Sequence, residues 1–207
     1  MNSRALLASA LLTGSAAFTR LSAQDPRLVE RLDRTTLTAV TAVIDSARTA
    51  KLPTAPLVDK ALEGAARGSD GGRIINAVHQ LSARMATSRG VLGTSASADE
   101  IKTAASALDA GVGERDIARV HVACGKRPVT MALSVLTDLI GRNVPIPTAT
   151  NVVLQLARSG AKDTDLSMFQ RNVRADIDRG ADPSAAATTR ARGLVARSTP
   201  TPAKTPE

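Results

Sequence analysis

The sequence predicts an all-α chain built from antiparallel helical hairpins. Apolar residues recur at three- and four-residue spacing through most of the segments between residues 28 and 177. No segment shows sustained period-two alternation with β-branched enrichment between turn signals. Glycine and proline punctuate the chain so that helices of ordinary length are joined by short breaks, which favours antiparallel neighbours.

The first stretch stands outside this pattern. Arg4 gives a short positive start, residues 5–18 are an apolar run of small residues, and Leu21, Ser22 and Ala23 offer small residues for cleavage. That is the layout of a secretory signal peptide over residues 1–24. The run is too short to span a bilayer core of about 30 Å. Its removal leaves about 180 residues, enough for a sizeable core, in a helical domain over residues 25–197. The cleaved stretch holds Arg4 and Arg20 and no acid, so the formal charge falls from +8 to +6. The lone cysteine, Cys124, excludes an intramolecular disulfide framework, so stability rests on aliphatic packing.

Asp25 and Pro26 start a long first helix. Its stripe is Leu28, Leu32, Val40, Val43, Ile44 and Ala47, with Glu30 and Arg34 at a favourable four-residue spacing. It ends before Leu52 and Pro53. Thr54 is placed to cap a second helix, with Leu57, Val58, Ala61, Leu62 and Ala65 inside and Asp59, Lys60, Glu63 and Arg67 outside. The glycine-rich stretch 68–72 breaks it. A third helix turns Ile74, Val78, Leu81 and Met85 inward and is expected to fray toward Gly90.

Ser97 and Glu100 form a capping box ahead of Ile101, Ala104, Ala105 and Leu108. Gly111 stops that helix. Ile117, Val120, His121 and Cys124 then line one face of a short helix. The most apolar stretch follows, over residues 128–143. Pro128 suits its first turn and Gly141 its end. Ala132, Leu133, Val135, Leu136, Leu139 and Ile140 wrap most of it, while Thr130, Ser134, Asp138 and Arg142 form one narrow polar line. Residues 143–147 are a tight linker. Ala149, Val152, Val153 and Leu156 make the next inner face, ending at Gly160. Leu166, Phe169, Val173 and Ile177 make another. Asp182 and Pro183 start a last helix, poor in large apolar residues and carrying Arg190, Arg192 and Arg197. Residues 198–207 are Pro/Thr-rich and expected to be disordered.

An internal echo runs through this order. A constant shift of 92 pairs Leu52-Pro53 with Val144-Pro145, Ala61 with Val153, Gly68 with Gly160 and Ile74 with Leu166. A weaker copy begins at Val112, with Ile117 opposite Leu57. Amphipathic helices share some spacing by chance, so the sequence leaves true repetition open. True repetition would extend the hairpins into a short right-handed, solenoid-like array in which each hairpin buries its face on the next.

Composition narrows the function. There is no Trp and no Tyr, and of two Phe, Phe18 leaves with the signal. Stacking platforms for bases need aromatic faces, so no nucleic-acid partner is expected. No glycine pattern cradles a phosphate and no Gly-x-Ser-x-Gly occurs, so no cofactor is expected. His121 and Cys124, three apart, share a helical face. A structural zinc site wants four such ligands and a catalytic one three, whereas the only other His is His79. Asp138 has Arg142 four residues on, a surface pair before an acid catalyst. Asp59 and Glu63 flank Lys60, and Asp176 and Asp178 lie near Arg174 and Arg179.

The expected function is a non-enzymatic, exported helical repeat module acting through contact with an unidentified protein in the bacterial cell envelope. One alternative is a small enzyme or apolar-ligand carrier with a pocket between hairpins. The other is a binder of anionic envelope surfaces through its C-terminal arginines. The candidate binding surface is Arg190, Arg192 and Arg197. No transmembrane span is expected after signal cleavage.

Overall fold

The computed structural model describes residues 25–198. The expected signal peptide and the tail beyond residue 198 lie outside the described residues. Among the described residues the chain is helical throughout, with no strand. The helices are α1 (Pro26–Arg31), α2 (Arg34–Thr49), α3 (Ala55–Ala66), α4 (Gly71–Leu92), α5 (Ala98–Asp109), α6 (Glu114–Cys124), α7 (Thr130–Gly141), α8 (Ile146–Arg158), α9 (Asp163–Asp178) and α10 (Pro183–Ser198). No described helix is long and apolar enough to cross a membrane.

Helices two apart in the chain lie side by side. In one row α2 packs on α4, α4 on α6, α6 on α8 and α8 on α10. In the other, α1 packs on α3, and α5, α7 and α9 form a second run. The rows lean on each other most extensively through α3 with α4, α4 with α5, α7 with α8 and α9 with α10. The second row is interrupted between α3 and α5, which both rest on the 22-residue α4 instead. The core divides accordingly. One aliphatic cluster runs from Leu28 to Ala105 and another from Leu92 to Leu194, with α4 and α5 contributing to both.

The expected capping box is present: Ser97 Oγ accepts from the Glu100 N–H at 3.2 Å, and Glu100 Oε2 accepts from the Ser97 N–H at 3.0 Å. The most apolar stretch is α7, with Ala132, Leu133, Val135, Leu136 and Leu139 all buried. Four local expectations change. The long first helix is two helices, because the Asp33 carboxylate accepts from the N–H groups of Thr35 and Thr36 and from the Thr36 hydroxyl, starting α2 afresh after an extended Leu32. Glu30 and Arg34 therefore stand on different helices. Thr54 sits at the start of α3 but makes no side-chain cap. The break at residues 68–72 is shorter than expected, since the Asp70 carboxylate caps α4 at Gly71, and α4 runs unfrayed through Gly90 to Leu92. Pro128 precedes α7, whose start is Val129.

The 92-residue echo is present at the turns. Leu52 N–H donates to Ala47 and Val144 N–H to Leu139, while Ser69 N–H donates to Gly64 and Ala161 N–H to Leu156. Lys51 and Asn143 both take positive φ, as do Gly68 and Gly160. Yet this shift lays α3 on α8, which belong to opposite rows. A shift of 32 keeps the rows, carrying Ala98–Asp109 onto Thr130–Gly141 and the start of α6 onto the start of α8. The longer echo marks equivalent helix ends, which any left-handed residue followed by an apolar one will make. The shorter one marks equivalent places in the array.

Two glycines give opposite expectations. A Cβ on Gly71 would lie 2.1 Å from Thr36 Oγ1, whereas one on Gly90 meets nothing within 4 Å. Gly90→Ala should stabilise the fold by up to about 1 kcal/mol through helix propensity. Gly71→Ala should cost about 1–3 kcal/mol by overpacking α2 against α4. Urea unfolding followed by circular dichroism checks both signs.

Candidate functional site: the outer groove of the last hairpin

α9 and α10 form the last hairpin among the described residues. They are joined at residues 179–182, where Gly180 takes φ 94° and the Asp182 carboxylate accepts from the Ala185 N–H to cap α10. Leu166, Phe169 and Val173 of α9 are buried, as are Ala186, Ala187, Ala191 and Leu194 of α10. Three of the four buried residues of α10 are alanines, so this helix lies close against α8 and α9 without large side chains. The opposite side of the hairpin is a groove. It encloses about 360 Å³ from Met168, Phe169 and Arg197 at one end to Asp176 and Arg190 at the other. It continues past Asp176, Thr189 and Arg190 toward the α9–α10 turn. Phe169 and Leu194 floor it, and Met168 is 48% exposed on its wall.

Arg190 and Arg197 are brought together on this groove, since seven residues are close to two helical turns. Arg192 is exposed but does not line it. Arg190 makes a bidentate pair with Asp176 at 2.6 and 2.8 Å. Arg179 reaches the same carboxylate at 2.5 Å. The Arg190 hydrogen bond holds the Asp176 carboxyl below the ordinary Asp range, and partial burial opposes it. Sequence reasoning placed Asp176 beside Arg179 but missed Arg190, fourteen residues on and across a turn.

The other candidates are apart from this groove. Cys124 is buried, and burial pushes its thiol upward, against what a nucleophile needs. His121 is half-buried, with Nδ1 enclosed and unpartnered. Glu100 lies close enough to feel His121, but its carboxylate is bonded first to the Ser97 N–H. Asp138 pairs with Arg142 at 3.0 Å. Among the described residues no group of three or more His, Cys, Asp or Glu is placed to hold a metal ion.

A second depression, about 410 Å³, opens where α3 and α5 fail to meet, between Pro53, Pro56, Asp59, Lys60 and Glu63 on one side and Ala98, Asp99 and Lys102 on the other. Its charges are matched locally, Lys60 with Glu63 at 3.0 Å and Lys102 with Asp99 at 3.6 Å. Neither His121 nor Asp138 lines either depression. Comparison with protein-family models, curated proteins and solved structures finds no match.

The Asp176 geometry predicts a pH signature. Its folded pKa is depressed, so its contribution is present above the unfolded Asp value of about 3.9 and is lost as pH falls through the folded value. Asp176→Asn should lower stability at pH 6, and the gap to wild type should close toward pH 2 in urea titrations. Cys124 should react with a thiol reagent at least about tenfold faster in denaturant than in the folded protein, since a buried thiol is inert; equal rates would place it on the surface.

Proposed function

We propose that this chain is a non-enzymatic, exported helical module that works by protein–protein contact in the bacterial cell envelope, with the outer groove of the α9–α10 hairpin as its contact surface. The observation that supports this is the groove itself, where Met168 is half-exposed beside Arg197, which enters no ion pair among the described residues. Among the described residues α10 packs against α8 and α9, and the groove opens on its outer side. In stacked-hairpin folds that side is where a neighbour would be buried. An apolar floor with a half-exposed methionine above it is a surface suited to a partner. Export is supported by the charge, apolar run and small residues of the first 24 positions.

The test is a photo-crosslinking amino acid placed at Met168, or at Val122 of α6, which is 77% exposed and away from the groove. In a host with a two-membrane envelope, the protein should be recovered from the envelope fraction without its first residues. Adducts should form from position 168 and not from 122. Cytosolic protein with residues 1–24 intact would overturn export. Identical adduct patterns from both positions would overturn the groove as the contact surface.

A further inference from the structure

The groove is electrostatically unbalanced, and the imbalance indicates what kind of segment fills it. Arg179, Arg190 and Arg197 border it, against the single carboxylate of Asp176. Arg179 and Arg190 share that carboxylate. Arg197 is exposed and enters no ion pair among the described residues. Gly193 lies beneath it: a Cβ there would stand 3.9 Å from Arg197 Nη1. Phe169 and Leu194 line the groove beside it, both buried, and Met168 is its half-exposed apolar residue. A cation with free donors thus stands beside an apolar floor and a half-exposed Met168.

We propose that the groove takes a segment of a partner protein that presents an apolar side chain next to a carboxylate. The apolar side chain rests on Phe169, Leu194 and Met168, and the carboxylate meets Arg197. This rests on the reading of the groove as the contact surface and adds the chemistry of the partner. Removal of apolar area from water supplies the attraction. The arginine fork matches a carboxylate in two parallel hydrogen bonds and selects acid over amide. Arg190 stays bound to Asp176 and sets the groove width rather than contacting the partner.

The test uses the full chain with its methionine methyl groups labelled for NMR, and three probes: a peptide of alternating leucine and glutamate, its glutamine counterpart and its lysine counterpart. The glutamate peptide should shift the Met168 methyl signal and leave that of the buried Met85 in place. The glutamine peptide should bind about 1.5-fold to fivefold more weakly, the range for an exposed ion pair. Arg197→Gln should equalise the two peptides while the Met168 response survives, and unchanged circular dichroism shows that the fold persists. Equal binding of the glutamate and glutamine peptides, or tighter binding of the lysine peptide, overturns the acidic partner but leaves the groove as a contact surface. A response to phosphatidylglycerol vesicles and to no peptide overturns it in favour of a lipid surface. No Met168 response to any probe overturns the groove itself.

Discussion

The short link between α6 and α7 is held from both sides, and the register of the array depends on it. Glu100 of α5 already closes its own helix start through Ser97, and its other oxygen accepts from the Val129 N–H at 3.1 Å, where α7 begins. Two residues earlier in the link, Arg127 donates to the carbonyls of Ala157 and Ala161 at the end of α8, the first at 2.6 Å, and to Cys124 of α6 at 3.3 Å. The Ala157 and Cys124 carbonyls also accept from the Gly160 and Arg127 N–H groups, so the guanidinium adds a second bond at each of these helix ends. One carboxylate and one guanidinium therefore join the ends of four helices. Both side chains are only partly buried, which avoids the desolvation cost of an enclosed charge.

Such polar ties matter because the core is almost wholly aliphatic. Phe169 is its single aromatic among the described residues, and the rest is Leu, Ile, Val, Ala and Met, with one buried thiol. Aliphatic side chains fill space without directional bonds, so helix pairs are fixed by how closely backbones approach and by what the ends bind. Close approach is visible at Gly64, where a Cβ would stand 2.8 Å from Ile74, and at Gly71 against Thr36. The same logic accounts for the gap between α3 and α5. α4 is long enough to serve as a platform for both, and neither needs the other to bury its face. The charges at that gap are already paired.

Much of the fold was legible because helix ends are local. Ser97 with Glu100, Asp182 with Pro183, and Asp138 with Arg142 all act within four residues, and sequence spacing identifies them. The split after Leu32 was masked by an apolar stripe that continues in phase across it, although an Asp at position 33 is a helix-start signal in its own right. The bonds of Arg127 to Ala157 and Ala161 span 30 and 34 residues. They depend on which loops share an edge of the array, information that no local pattern holds. The same holds for the candidate site. Its arginines were legible as charge, but only the α9–α10 turn shows that Arg190 is matched by Asp176 while Arg197 has no ion pair among the described residues.

That difference bears on how the array ends. A terminal hairpin must shed the apolar face that inner hairpins bury on their neighbours. α10 does this with alanines on its inner side and arginines, threonine and glycine outward, so most of its outer surface is polar. The cap is nevertheless incomplete. Met168 protrudes half-exposed from α9, beside Phe169 and Leu194, which line the groove but are themselves buried. Met168 lies between two arginines in unlike states: Arg190 is held by Asp176, and Arg197 enters no ion pair among the described residues. Of the two, only Arg190 is tied to the groove wall by the packing of α9 on α10.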